Sequence, residues 1–194
     1  MAEMHELHRR AGDLYDAVLR RAGPGVWGRP TPCEEWDVRG LVHHAAWSNL
    51  WVAPLVRGES LAEVGPKLEG DILGDDPVGV GLRSTAEASG AFDAPGAMDR
   101  LVDLSSGPTP GRDYCGERMN DLTVHAWDLA AALGISVELD TECMEAAMEV
   151  YRPKEAAGRP TGMFGPFVEA PPDADLQTRF LAFWGRRSDW TPPA

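Results

Sequence analysis

The segment Tyr114–Gly134, YCGERMNDLTVHAWDLAAALG, decides how this chain is read. Leu122, Leu129 and Leu133 give it the apolar stripe of one helix. Asp121, His125 and Asp128 stand at i, i+4 and i+7 beside that stripe. At about 100° per residue the three fall within roughly 60° of one another. A helix that sets three polar side chains in a line along its core edge needs something to satisfy them, so the line predicts a bound group. Asp121 and His125 also have the i,i+4 spacing at which two side chains of one helix can share a metal ion.

A partner is found upstream. Asp37 is a natural N-cap for a helix from Val38 to about Ala53, with Pro54 ending or kinking it. Its core stripe is Val38, Leu41, Val42, Ala45 and Val52, and this stripe separates two adjacent histidines. His43 points about 160° away from it, outside any site. His44 lies about 100° from its centre, on the flank shared with Leu41, Ser48 and Trp51, where a pocket residue would stand. On the Tyr114–Gly134 helix, His125 lies about 60° from the stripe and Asp121 about 100°. Two antiparallel neighbours can therefore bring His44, Asp121 and His125 together. Two imidazoles and a carboxylate leave a coordination position open, the pattern of a catalytic rather than a structural zinc site. Iron, nickel and manganese suit the same ligands. Asp128 is placed to hydrogen-bond a ligand imidazole, or to cap or pair elsewhere.

The rest of the chain predicts an all-α protein. Met4–Ala22 forms an amphipathic helix on Leu7, Ala11, Leu14 and Val18, with His5 and His8 on its surface. A proline-rich connection through Trp27, Pro30 and Pro32 carries TPCEEW, Thr31 to Trp36. Residues 57–76 read as a loop with one short turn, and Asp76-Pro77 opens a helix to about Phe92. Gly79, Gly81 and Gly90 weaken that helix by about 1 kcal/mol each. Residues 94–112 read as irregular, with Leu101, Val102 and Leu104 a short extended or buried piece. Asp140 caps a helix from Thr141 to Tyr151. A Pro/Gly-rich run, Pro153 to Pro172, crosses the surface, and Asp173 caps a last helix carrying Leu176, Phe180 and Phe183 and ending at Gly185. Four or five helices around one core make a helical bundle, with residues 1–194 as a single domain.

Composition narrows the function. The formal charge is −13, from 18 basic and 31 acidic residues, which disfavours nucleic acid and anionic membrane surfaces as partners. No apolar run approaches the roughly 20 residues of a bilayer span, and MAEMHELHRR lacks a signal core. Cys33, Cys115 and Cys143 are widely spaced without a CxxC, as expected in a reducing cytoplasm. Cys33 has Glu34 and Glu35 beside it and no neighbouring base, so it reads as a neutral loop thiol. Trp47, Trp51 and Trp127 read as core or rim residues. The residues alone leave a plain alternative for the pair on the long helix: Asp121 solvated, and His125 at the core edge bonded to a carbonyl.

Three stretches carry a resemblance to a known family: TPCEEWDVRGLVHH, DLTVHAWDLAAALG and MFGPFVEAPPDADLQTRFLAFWGR. Within them, PC-x-x-W-x-V-R-x-L-V-x-H ends at His44 and V-H-x-W-D-L-A contains His125. The chain resembles the bacterial DinB-like metal-binding superfamily, in the branch related to mycothiol-dependent maleylpyruvate isomerase. The resemblance implies a DinB-like four-helix bundle with extra short helices, a long irregular C-terminal connection, and a divalent metal, usually zinc, held by His44, Asp121 and His125. It also implies mycothiol or a similar low-molecular-weight thiol as cosubstrate of a transferase or isomerase acting on a small molecule. Asp128 would then orient a ligand, with Trp51 and Trp127 walling the pocket, and a homodimer would pair through an outer helix face. The isomerase itself has glutamate where this chain has the shorter Asp121, and longer relatives carry a further C-terminal domain. A non-catalytic metal-binding or stress-response protein and a metal-dependent hydrolase are the rival expectations.

Overall fold

The computed structural model describes residues 2–161 and 164–193, Thr161 by its backbone alone. Four helices make the core: α1 (Met4–Leu19), α2 (Val38–Leu50), α5 (Pro77–Phe92) and α6 (Gly111–Leu133). α1 packs on α6 and α5, while α2 packs on α5 and α6, so the four form a closed ring with α1 and α2 across the diagonal. Short helices α3 (Val52–Arg57) and α4 (Leu61–Val64) link α2 to α5. After α6, α7 (Thr141–Tyr151), α8 (Glu155–Gly158) and α9 (Leu176–Phe183) build outward, α7 on α6 and α9 on α7. The fold is the predicted helical bundle.

Local chemistry sets the helix ends. The carboxylates of Asp37, Asp76 and Asp140 accept the N–H of Gly40, Gly79 and Cys143, each three residues on. α2 stops at Leu50, earlier than its apolar pattern suggests. Pro54 has no N–H to give the Leu50 carbonyl one turn back, and the chain restarts at Val52 as α3. Of the glycines that weaken α5, Gly81 is a packing position, whereas a side chain at Gly90 would meet nothing. A side-chain carbon at Gly81 would lie 2.4 Å from Leu19 Cδ2, and one at Gly12 would lie 2.8 Å from Thr85 Cγ2. Bare backbone at these two points lets α1 and α5 approach closely.

Four details depart from the sequence reading. Residues 94–112 are not irregular throughout. Strand β1 (Leu101–Leu104) pairs antiparallel with β2 (Gly107–Pro110) around Ser105-Ser106, and the two prolines hide β2 from its composition. Helix α9 is capped by Asp175, whose carboxylate accepts Thr178 N–H at 2.7 Å, rather than by Asp173. The run Pro153–Pro172 does not simply cross the surface, because it contains α8 and a buried Phe164 stacked on Trp184 at 4.7 Å; Gly162 and Met163 of that run lie outside the described residues. His8 is not on the surface.

His8 is fully buried against Phe92, with ring centroids 5.0 Å apart, and its Nδ1 meets Ser89 Oγ at 3.3 Å. Its Nε2 has no partner among the described residues. Burial, helped by the Arg118 and Arg9 charges, pushes its pKa down to about 3, so the native ring is neutral. Above the unfolded value near 6.5 this costs nothing; as pH falls from there toward 3 the unfolded chain takes up a proton the native state refuses. Chelator-treated protein is expected to lose on the order of a few kcal/mol of stability across that window. His8→Leu should flatten the loss, as followed by urea unfolding at stepped pH.

Candidate metal centre

Two segments deliver the site. The loop before α2 is closed by the Thr31 hydroxyl, which donates to the carbonyls of Trp36 and Cys33 at 2.8 and 3.0 Å and accepts Cys33 N–H at 3.1 Å. An isolated bridge pairs Pro30 with Asp37. This closure lays the Trp36 ring over His44, with centroids 4.3 Å apart and planes at 24°. The second segment is α6, which is covered by α1, α2 and α7 so that even its polar residues are drawn inward.

Among the described residues, His44, Asp121 and His125 form the one cluster whose donor atoms all lie within 4.8 Å of one another. Nε2 of His44 and Nε2 of His125 stand 3.3 and 3.4 Å from the same oxygen, Asp121 Oδ1. The other carboxylate oxygen, Oδ2, accepts Arg118 at 3.0 Å, and Arg118 also donates to Asn49 Oδ1 at 3.1 Å. Nδ1 of His125 meets Asp128 Oδ2 at 2.9 Å. Asp128 is fully buried and receives Arg186 twice, Nε to Oδ1 at 3.1 Å and a terminal nitrogen to Oδ2 at 2.9 Å. His43 turns away and meets the Gly70 carbonyl at 3.1 Å.

The electrostatics follow. Burial alone would push the Asp121 carboxyl up, but Arg118 and the two imidazoles outweigh it and hold the group well below the usual carboxylate range. Burial likewise opposes ionisation of Asp128, and Arg186 with His125 overcomes it. For His125, burial disfavours the charged ring, yet Asp121 and then Asp128 raise its pKa to about 9. Because Asp128 accepts the proton on Nδ1, a neutral His125 turns its Nε2 lone pair toward an ionised carboxylate oxygen. That contact is repulsive unless a proton or a cation lies between, so the donor set fits a divalent ion.

One premise about Cys33 changes. Burial holds its thiol above the ordinary value, so it stays neutral as expected, although a base, Arg186, does lie near and pulls the other way. Trp51 lines a cavity that reaches Asp121, whereas Trp127 is buried and belongs to the walls of neither cavity at the site. The wall beside His44 is Trp36. Sequence periodicity had no means of finding Trp36, which precedes its helix, or Arg186, which lies 58 residues from Asp128.

Residues 8–130 match the family described as mycothiol maleylpyruvate isomerase N-terminal domain. The chain is 33% identical over 179 residues to uncharacterised proteins from two strains of Mycobacterium tuberculosis, covering 90% of this chain and 94% of each relative. A crystal structure of the mycothiol-dependent maleylpyruvate isomerase has the same fold, with a TM-score of 0.62 and 18% identity over 80% of this chain and 71% of that one. A mutant of that isomerase superposes equally well, at 17% identity. No helix among the described residues is long and apolar enough to cross a membrane. On the match over α1 to α6, the chain belongs to the mycothiol maleylpyruvate isomerase N-terminal domain family.

Proposed function

We propose that this chain is a zinc protein that works in the cytoplasm as one helical domain, a thiol-dependent transferase or isomerase of the mycothiol type. The observation that carries the reading is the convergence of His44 Nε2, His125 Nε2 and Asp121 Oδ1 on one point beside a cavity of about 500 Å³. A bound divalent ion would supply Lewis acidity that favours the thiolate form of a small thiol at neutral pH.

The chain's own residues prepare that chemistry. Asp128 accepts a hydrogen bond from Nδ1–H of His125 and so fixes the tautomer that leaves Nε2 free to coordinate. Arg186 keeps Asp128 ionised and immobile through two hydrogen bonds. Arg118 holds one oxygen of Asp121, which leaves the other to face the imidazoles. Trp36 covers the His44 ring and excludes water from that side. The cavity also presents Glu34, Glu35 and Arg186, a polar lining suited to a hydrophilic thiol rather than an apolar one.

Three expectations test the reading. Elemental analysis of the wild type should find about one divalent ion per chain, and His44→Ala should lose it while keeping its helical circular dichroism. Asp128→Asn retains volume but can no longer accept as an anion; metal affinity should fall by about 10- to 100-fold in chelator competition. In cobalt-substituted protein, a thiol should shift the visible absorption bands, and metal-loaded enzyme should conjugate that thiol to an electrophile. Equal turnover by His125→Ala would remove the mechanism.

A further inference from the structure

The two oxygens of Asp121 are held differently. Oδ1 faces both imidazoles, while Oδ2 accepts Arg118 at 3.0 Å. Arg118 lines a cavity of about 680 Å³ that contains Asp121 and neither imidazole, and it is absent from the walls of the polar cavity that holds both. The two cavities share Asn120, Asp121 and Trp184. The guanidinium therefore approaches the carboxylate from the side away from His44 and His125.

The guanidinium is itself steered. Its other terminal nitrogen donates to Asn49 Oδ1 at 3.1 Å, the Asn49 amide donates to Thr85 Oγ1 at 3.3 Å, and the Thr85 hydroxyl donates to the Gly81 carbonyl at 3.2 Å. This chain of bonds runs from α6 through α2 to α5, and Arg118, Asn49 and Thr85 are all buried. A simple counter-charge for Asp121 would need no such support. An arginine whose planar fork is aimed by two further helices instead sets the rotation of the carboxylate it meets. Turning Asp121 until both oxygens faced one ion would break the Arg118 bond and leave a buried charge unpaired.

That rotation matters to a metal. A carboxylate bound through both oxygens raises the coordination number and suits an oxygen-seeking ion such as manganese, whereas zinc takes few ligands and needs one oxygen. We propose that Arg118, steered by Asn49 and Thr85, is a positioning residue that restricts Asp121 to one-oxygen coordination and so selects zinc against manganese. The inference rests on the metal reading of His44, Asp121 and His125 and is independent of any thiol.

The test uses the full chain, stripped of metal by a chelator and reloaded, with zinc, manganese and cobalt(II) chlorides as probes. The cobalt form of the wild type should show the intense visible bands of a low-coordinate ion. Arg118→Met frees Oδ2; in chelator competition the ratio of manganese to zinc affinity should rise by about tenfold or more, and the cobalt bands should weaken as the coordination number grows. Asn49→Leu keeps the guanidinium charge and removes its guide, so the ratio should move in the same direction by a smaller factor. Melting curves accompany both variants, because each leaves a buried polar group without its partner. Lost stability alone weakens both ions together and leaves the ratio where it was. An unchanged ratio in Arg118→Met would overturn the proposal, as would a ratio that moves there but not in Asn49→Leu, which would reduce Arg118 to a counter-charge. Weak, six-coordinate cobalt bands in the wild type would overturn it without any variant. Wild type that takes up none of the three ions would remove the metal reading and this inference together; uptake with an unchanged ratio would remove this inference alone.

Discussion

α6 is a helix with no free face, and that constraint organises the protein. Packed by α1, α2 and α7, it buries Arg118, Asn120, Thr123, His125 and Asp128 together with Leu122 and Leu129. Each such group loses water and must recover a partner. Thr123 does so within the helix, donating to the Met119 carbonyl at 2.8 Å. Arg118 reaches Asp121 and crosses to Asn49 on α2. His125 pairs with Asp128, and Asp128 recruits Arg186 from beyond α9. The candidate metal centre is where two imidazole nitrogens and a carboxylate oxygen are turned toward one another.

Much of this was legible in the chain because it is local. Three helix caps are plain in the chain, Asp37, Asp76 and Asp140, each accepting the N–H three residues on, whereas at α9 the neighbouring Asp173 and Asp175 look alike and the second is the cap. The separation of His44 from His43 followed from angle on one helix, and the structure places His44 beside Asp121 while His43 meets a loop carbonyl. What escaped was long-range or hidden by composition. The buried His8 looks like any polar residue of an amphipathic helix until α5 supplies Ser89 and Phe92. Strand β2 is built from Gly, Pro and Thr, which no pattern of alternation reveals. Trp36 reaches His44 through a loop closed by Thr31, a contact without sequence periodicity.

The matched family segment ends at residue 130, but the centre does not. The residues that fix Asp128 and part the two cavities come from the C-terminal stretch, Trp184 and Arg186. Arg159 steadies that stretch, donating to the carbonyls of Gly165 and Phe183 at 3.0 Å each. In this way the bundle carries the three candidate ligands, while a separate piece of chain fixes Asp128 and shapes what surrounds them.

The crossing of Gly165 and Gly185 shows how narrow that arrangement is. Gly185 has φ +79°, and a side-chain carbon there would lie 2.5 Å from the Gly165 carbonyl carbon, so two backbones touch where any other residue would hold them apart. Arg186 follows that glycine directly, so the contact fixes where its guanidinium sets out toward Asp128. A side chain at residue 185 would thus reach His125 without touching it, through a displaced Arg186 and a freed Asp128.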